Sequence, residues 1–178
     1  ESFGENGNRG HTSGLAETEL RVPAWIDAPE GTLSPVEDKS LRSVKERYTW
    51  HIDLSATMMD LLGVWDDPAF APFRKRVRGQ PLTRPGFKDV PVPLTNCNWT
   101  WGCALQGGNW GIMDGPLKIW GKYFDRSGKF RCYDLQKDPL EKQPLDSAQC
   151  APLPAMADKL FGGHPRAVRK WPPDPGPY

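Results

Sequence analysis

No stretch of this 178-residue chain approaches the roughly 20 consecutive apolar residues that a membrane-spanning helix needs. There is no excess of one charge either. The chain has 23 Lys and Arg against 22 Asp and Glu, so no global field points to nucleic acid or an anionic membrane. It has no CxxC knuckle of the zinc kind, no phosphate-cradling glycine loop, no Ser-His-Asp or Cys-His spacing and no internal repeat. A helical bundle or coiled coil is excluded by 18 Gly and 19 Pro, well above ordinary usage. Wholesale disorder is excluded by 38% hydrophobic residues and 8 Trp. What remains is a chain of one-domain length, built from short elements and many turns.

The chain opens Glu1-Ser2-Phe3-Gly4, with neither an initiator Met nor a signal sequence, and is expected to be a processed end or a piece of something longer. Residues 1–14 are glycine-rich and polar, which suits a loop whose backbone must approach something closely. A helical turn is expected around Leu15–Leu20, and the apolar run Arg21–Ile26 reads as a buried strand. Residues 30–47 carry charge without a clear period. Tyr48–Ile52 reads as a short strand, and Asp53 or Ser55 as the cap of a helix. The core-facing stripe of that helix is expected to be Leu54, Met58, Leu61 and Trp65, and Gly63 ends it.

Residues 66–96 are Pro-rich, with a basic cluster at 74–78 that reads as a solvated loop. Strands are expected at Trp110–Asp114, Leu117–Phe124 and Lys129–Leu135, with a turn at 125–128. Lys118 and Lys122 alternate along the second of these, so both are expected to face solvent. Leu153, Met156, Ala157, Leu160 and Phe161 recur at helical spacing before Gly162-Gly163, and residues 164–178 form a Pro-rich tail.

The four cysteines, Cys97, Cys103, Cys132 and Cys150, are expected to form disulfides in an oxidising compartment, with the pairing open. Four buried thiols are the alternative. Asn98-Trp99-Thr100 is a formal glycosylation sequon and reads as a chance occurrence.

Five segments, in this order, resemble the C-terminal end of the sulfatase branch of the alkaline phosphatase superfamily. They are Glu1-Ser2-Phe3-Gly4-Glu5-Asn6-Gly7 with His11; Glu19-Leu20-Arg21-Val22-Pro23; His51-Ile52-Asp53 with Thr57 and Leu61-Leu62-Gly63; Gly79-Gln80-Pro81-Leu82; and Tyr133-Asp134-Leu135 with Asp138-Pro139 and Glu141. The opening run is similar to that of phosphoethanolamine transferases, and the later motifs look more like sulfatases proper. Many sulfatases carry a Lys near the position of His11, whereas the phosphotransferring relatives carry a His.

The resemblance implies an α/β chain, or α+β as an isolated piece. Residues 1–88 would be the end of an alkaline-phosphatase-like layered core, 89–163 a small antiparallel sheet packed with one helix, and 164–178 a tail. It also implies a metal-dependent sulfuric or phosphoric ester hydrolase, whose nucleophile and metal ligands precede Glu1. Zn, Ca, Mg or Mn would serve that parent, and this chain alone would bind none. The location implied is periplasmic or extracellular, with membrane anchoring through the missing N-terminal part in the transferase alternative.

His11 is the candidate catalytic residue. A neutral imidazole can ligate a metal and a protonated one can stabilise a leaving oxygen. Arg9 and Thr12 supply donors for an anionic ester. Glu5 and Asn6 are candidates to orient the metal ligands. The plainer reading of His11 is an exposed loop residue. His51 reads as structural and His164 as exposed. A disulfide-stapled binding module without chemistry is the alternative from another class.

Overall fold

A computed structural model describes residues 2–3, 9–10, 14–96, 109–122 and 129–161. In chain order, its strands and helices are β1 (Ser2–Phe3), β2 (Arg9–Gly10), α1 (Glu17–Leu20), α2 (Pro35–Ser43), α3 (His51–Leu61), α4 (Ala71–Arg74), β3 (Val92–Asn96), β4 (Asn109–Asp114), β5 (Leu117–Lys122), β6 (Arg131–Asp134) and α5 (Pro152–Phe161). Single 3-10 turns, Pro68–Phe70 and Ser147–Cys150, precede α4 and α5. The class is α+β. The chain forms two compact units, one of residues 24–89 and one of residues 1–23 with 90–178.

The larger unit is built on a four-stranded antiparallel sheet in the order β3-β4-β5-β6. Its register pairs Ile112 with Ile119, and Ile119 with Cys132, so these side chains share one face. Trp110, Ile112, Ile119 and Cys132 form a core there with Cys150, Leu153 and Ala157, the last two from α5. The expected helix is therefore α5, although Leu160 on it is exposed. Cys132 and Cys150 are joined by a disulfide inside this core, with Cα atoms 6.0 Å apart, which ties β6 to the turn before α5. Cys97 and Cys103 lie outside the described residues. So do the turn at 125–128, the sequon and the tail.

The opposite face of the sheet is covered by the segment leading into α1. Gly111 makes room for it. A Cβ at that position would come within 2.6 Å of the Ile119 carbonyl oxygen and 3.3 Å of Leu15 Cδ1. Leu15 is fully buried there, and the Asn96 side-chain amide donates to the Gly14 carbonyl at 2.5 Å.

The smaller unit is mostly helical and held differently. Ser34 begins α2 through a reciprocal capping box. Its Oγ accepts from the Glu37 amide at 3.3 Å, and its own amide donates to Glu37 Oε2 at 2.7 Å. The strand expected at Tyr48–Ile52 is instead a loop running into α3. Asp53 is not the first cap but the third helical residue, and its Oδ2 accepts from the Trp50 amide at 2.9 Å.

Half of the stripe expected to face the core is turned outward, with Met58 63% exposed and Leu61 47%, while Leu54 and Trp65 are half-buried. The buried side of α3 carries Asp53, Ala56 and Thr57. Asp53 Oδ1 accepts from the Gln80 amide at 2.8 Å, and Thr57 Oγ1 from the Leu82 amide at 2.8 Å. Hydrogen bonds to the backbone of the 79–84 segment, not the apolar period, set the rotation of this helix.

Gly79 is required by that contact, since a Cβ would lie 2.0 Å from the Ile52 carbonyl oxygen. The expected buried strand at Arg21–Ile26 is not a strand, and Trp25 there is 82% exposed. Pro23 withholds a ladder donor, and the segment joins neither described sheet. The 66–96 connection contains α4 and β3, neither of which its Pro content announces.

Candidate functional site

The described residues of the opening segment, β1 and β2, pair antiparallel, with Ser2 opposite Gly10 and Phe3 opposite Arg9. Glu5, Asn6, His11 and Thr12 lie outside the described residues, and Arg9 is described by its backbone alone. The geometry available for this candidate site is therefore that of its supports on either side. His51 sits exposed at the first residue of α3. His164 lies outside the described residues.

The support on the C-terminal side holds what the sequence reading misplaced. Lys118 does not face solvent, because its side chain is fully buried. Its Nζ lies 2.8 Å from Glu17 Oε1, to which it donates, and 3.2 Å from Glu141 Oε1. Glu141 is also engaged by the backbone, with the Glu17 amide donating to its Oε2 at 2.6 Å.

That bond is a helix cap made at long range. Ala16 precedes α1 and makes no side-chain cap, so a carboxylate from 124 residues away satisfies a first-turn amide. Glu141 does so from a left-handed backbone at φ 52°, a conformation costing a non-glycine residue on the order of 1 kcal/mol. Two carboxylates thus share one buried ammonium. Burial pushes the Glu141 carboxyl above its ordinary range, opposed by the Lys118 charge and the Glu17 amide.

A signal for Lys118 was present in the sequence. Trp120 lies between Lys118 and Lys122 on the same side of β5, and a large apolar residue there argues for a covered face. Only Lys122, at the strand end, is exposed.

The rest of the Tyr133–Glu141 signature shapes the exit from β6. Asp134 accepts from the Gln136 amide at 3.1 Å and pairs with Lys137 at 3.0 Å, which holds its carboxyl below the usual range. Asp138 Oδ2 accepts from the Gln143 amide at 2.7 Å. Each carboxylate closes a turn, and together they deliver Glu141 to α1.

In the smaller unit, Asp60 and Asp66 converge on Arg84, with Nη2 2.6 Å from Asp60 Oδ1 and 2.5 Å from Asp66 Oδ2. Arg74 donates to the Trp65 carbonyl and pairs with Asp66 at 3.3 Å, so this part of the basic cluster is tied to structure. A groove of about 740 Å³ runs past Leu41, Val44, Leu54 and Leu82. Of the charges on its rim, Arg42 is paired with Asp38, and Arg47 with Asp89.

Among the described residues, no three His, Cys, Asp or Glu converge as a metal shell. Among them, too, no helix is long and apolar enough to cross a membrane. No protein-family model matches the chain, and no curated protein matches it.

Proposed function

We propose that this chain is the C-terminal part of a metal-dependent sulfuric or phosphoric ester hydrolase of the sulfatase-like kind. It contributes His11, with Arg9 and Thr12, to a site whose nucleophile and metal ligands precede Glu1. One observation carries the reading. Glu141, the end of the Tyr133–Glu141 signature, reaches through Lys118 and directly to Glu17, which lies in sequence between His11 and the Glu19–Pro23 segment of the resemblance.

Other features fit. A small antiparallel sheet with one covering helix suits the C-terminal subdomain of such enzymes. The uncovered Ile52, Met58 and Leu62 suit a layer that another layer would cover. A disulfide fits a periplasmic or extracellular location.

In the complete protein a divalent cation would polarise the ester oxygen and activate the nucleophile. His11 would hold a proton toward the leaving oxygen, and Arg9 and Thr12 would donate to the anionic ester. The opening Glu1–Gly7 run with His11 favours a phosphoethanolamine or phosphoglycerol transferase as the second reading.

The test is the reading frame upstream of Glu1 and the protein it encodes. An Asp-His-Gly before Glu1, and turnover of 4-nitrophenyl sulfate or phosphate that EDTA abolishes, are expected. Several membrane spans upstream would favour the transferase. Absence of both motif and turnover would leave the binding module.

A further inference from the structure

We propose that Glu17, Lys118 and Glu141 form a charge clamp that fixes α1, the element following the opening loop in sequence, against the sheet, and that acts on His11 through the backbone between them. The catalytic consequence rests on the hydrolase reading; the clamp itself does not.

The segment it holds cannot hold itself. α1 is a single turn of four residues, far below the length at which an isolated helix persists in water. Its N-terminus lacks a local side-chain cap, and its exposed flank, Arg21 onward, is not in a sheet. Its placement must come from tertiary contacts. Leu15 packs over Gly111, Asn96 fixes the Gly14 carbonyl, Glu141 caps the turn and Lys118 grips Glu17.

Three of these four contacts come from the sheet itself and the fourth from the signature loop that leaves it. A fully buried lysine is kept only where its charge is met, and here both partners serve to fix α1. His11 lies in sequence between Gly10, paired with Ser2, and Gly14, bonded to Asn96. Lys118 is thus a positioning residue, acting through Glu17 on the backbone that leads to the candidate histidine.

Hydrogen exchange on the full chain tests this with Glu17→Ala and Glu17→Gln, which avoid exposing the core. Glutamine keeps an oxygen for Lys118 and alanine does not. The amides of residues 15–20 should exchange at least about tenfold faster in Glu17→Ala, with those of β4 and β5 unchanged and Glu17→Gln close to the parent sequence. Unchanged exchange at 15–20 in Glu17→Ala, or an equal rise across the sheet, would overturn the clamp.

In the complete protein, with 4-nitrophenyl sulfate and phosphate as probes, Glu17→Ala should lower kcat. It should add little to the loss caused by His11→Ala, and full additivity would contradict positioning. If the complete protein turns over neither ester, the hydrolase reading fails while the exchange result judges the clamp alone.

Discussion

The two units of this chain solve the same problem with opposite materials. In the sheet unit, Trp110, Ile112, Ile119, Leu153 and other apolar side chains are buried against one another, and a disulfide crosses them. In the 24–89 unit the buried described hydrophobics are Val44, Ala56 and Leu82, while Asp53, Thr57 and Asp60 on α3 catch the chain from Gln80 to Arg84. Hydrophobic periodicity therefore predicts orientation in the first unit and misleads in the second. Among the described residues the sheet unit has two polar exceptions, the Asn109 amide and, as the charged one, the Lys118 clamp. The clamp stands where the sheet receives the segment after the opening loop.

The largest effect that would sharpen this contrast comes from that clamp. Lys118→Met leaves two carboxylates buried without their cation and should destabilise the sheet unit by about 3–5 kcal/mol. Urea unfolding followed by tryptophan fluorescence measures it. A loss under about 1 kcal/mol would mean the ammonium is not carrying the pair.

Replacing Cys132 and Cys150 together by Ala should cost about 2–4 kcal/mol in the same assay, because the unfolded chain regains the freedom that the crosslink removes. Addition of reductant to the native protein should lower its melting temperature in the same direction.

Within the helical unit, two substitutions oppose each other's usual ranking. Gly79→Ala forces a carbon into the Ile52 carbonyl and should cost about 1–3 kcal/mol. Leu61→Ala removes an exposed side chain and should cost under about 1 kcal/mol, well below the roughly 2–5 of a core leucine. A larger loss at Leu61 than at Gly79 would restore the apolar stripe as the packing face.

The smallest effect is a pH dependence. Burial raises the Glu141 pKa in the folded state, so the folded protein holds this proton more tightly than the unfolded chain. Its contribution to stability is present below the unfolded value, about 4.3, and is lost as pH rises through the higher folded value. Glu141→Gln removes that loss, so its stability relative to the parent sequence should improve as pH rises through this window. A relative stability that falls instead would mean the clamp favours the ionised carboxylate.

Much of the sheet unit was legible because alternation and helical spacing there report burial directly. β4, β5 and α5 lie where Trp110–Asp114, Leu117–Phe124 and the Leu153–Phe161 pattern predict them, apart from residues outside the described set. β3 was hidden by Pro91 and Pro93, whose rings suit an edge strand. α3 was legible as a helix but not in its facing, because its orientation depends on hydrogen bonds to a segment more than twenty residues later. Lys118 was misread for a related reason. Trp120 on the same side of β5 marks a covered face, but what holds a lysine there is fixed only by its partners, which sit 101 and 23 residues away in sequence. The candidate residues Glu5, Asn6, His11 and Thr12 lie outside the described residues, and no local period marks a loop histidine as chemical.

The most direct test of the functional account is turnover by the complete protein carrying His11→Ala. Loss of one donor to a developing oxyanion costs about 100-fold in kcat, so a fall of that size is expected, with the unfolding curve unchanged. Near-normal turnover of 4-nitrophenyl sulfate and phosphate by that variant would remove His11 from the site.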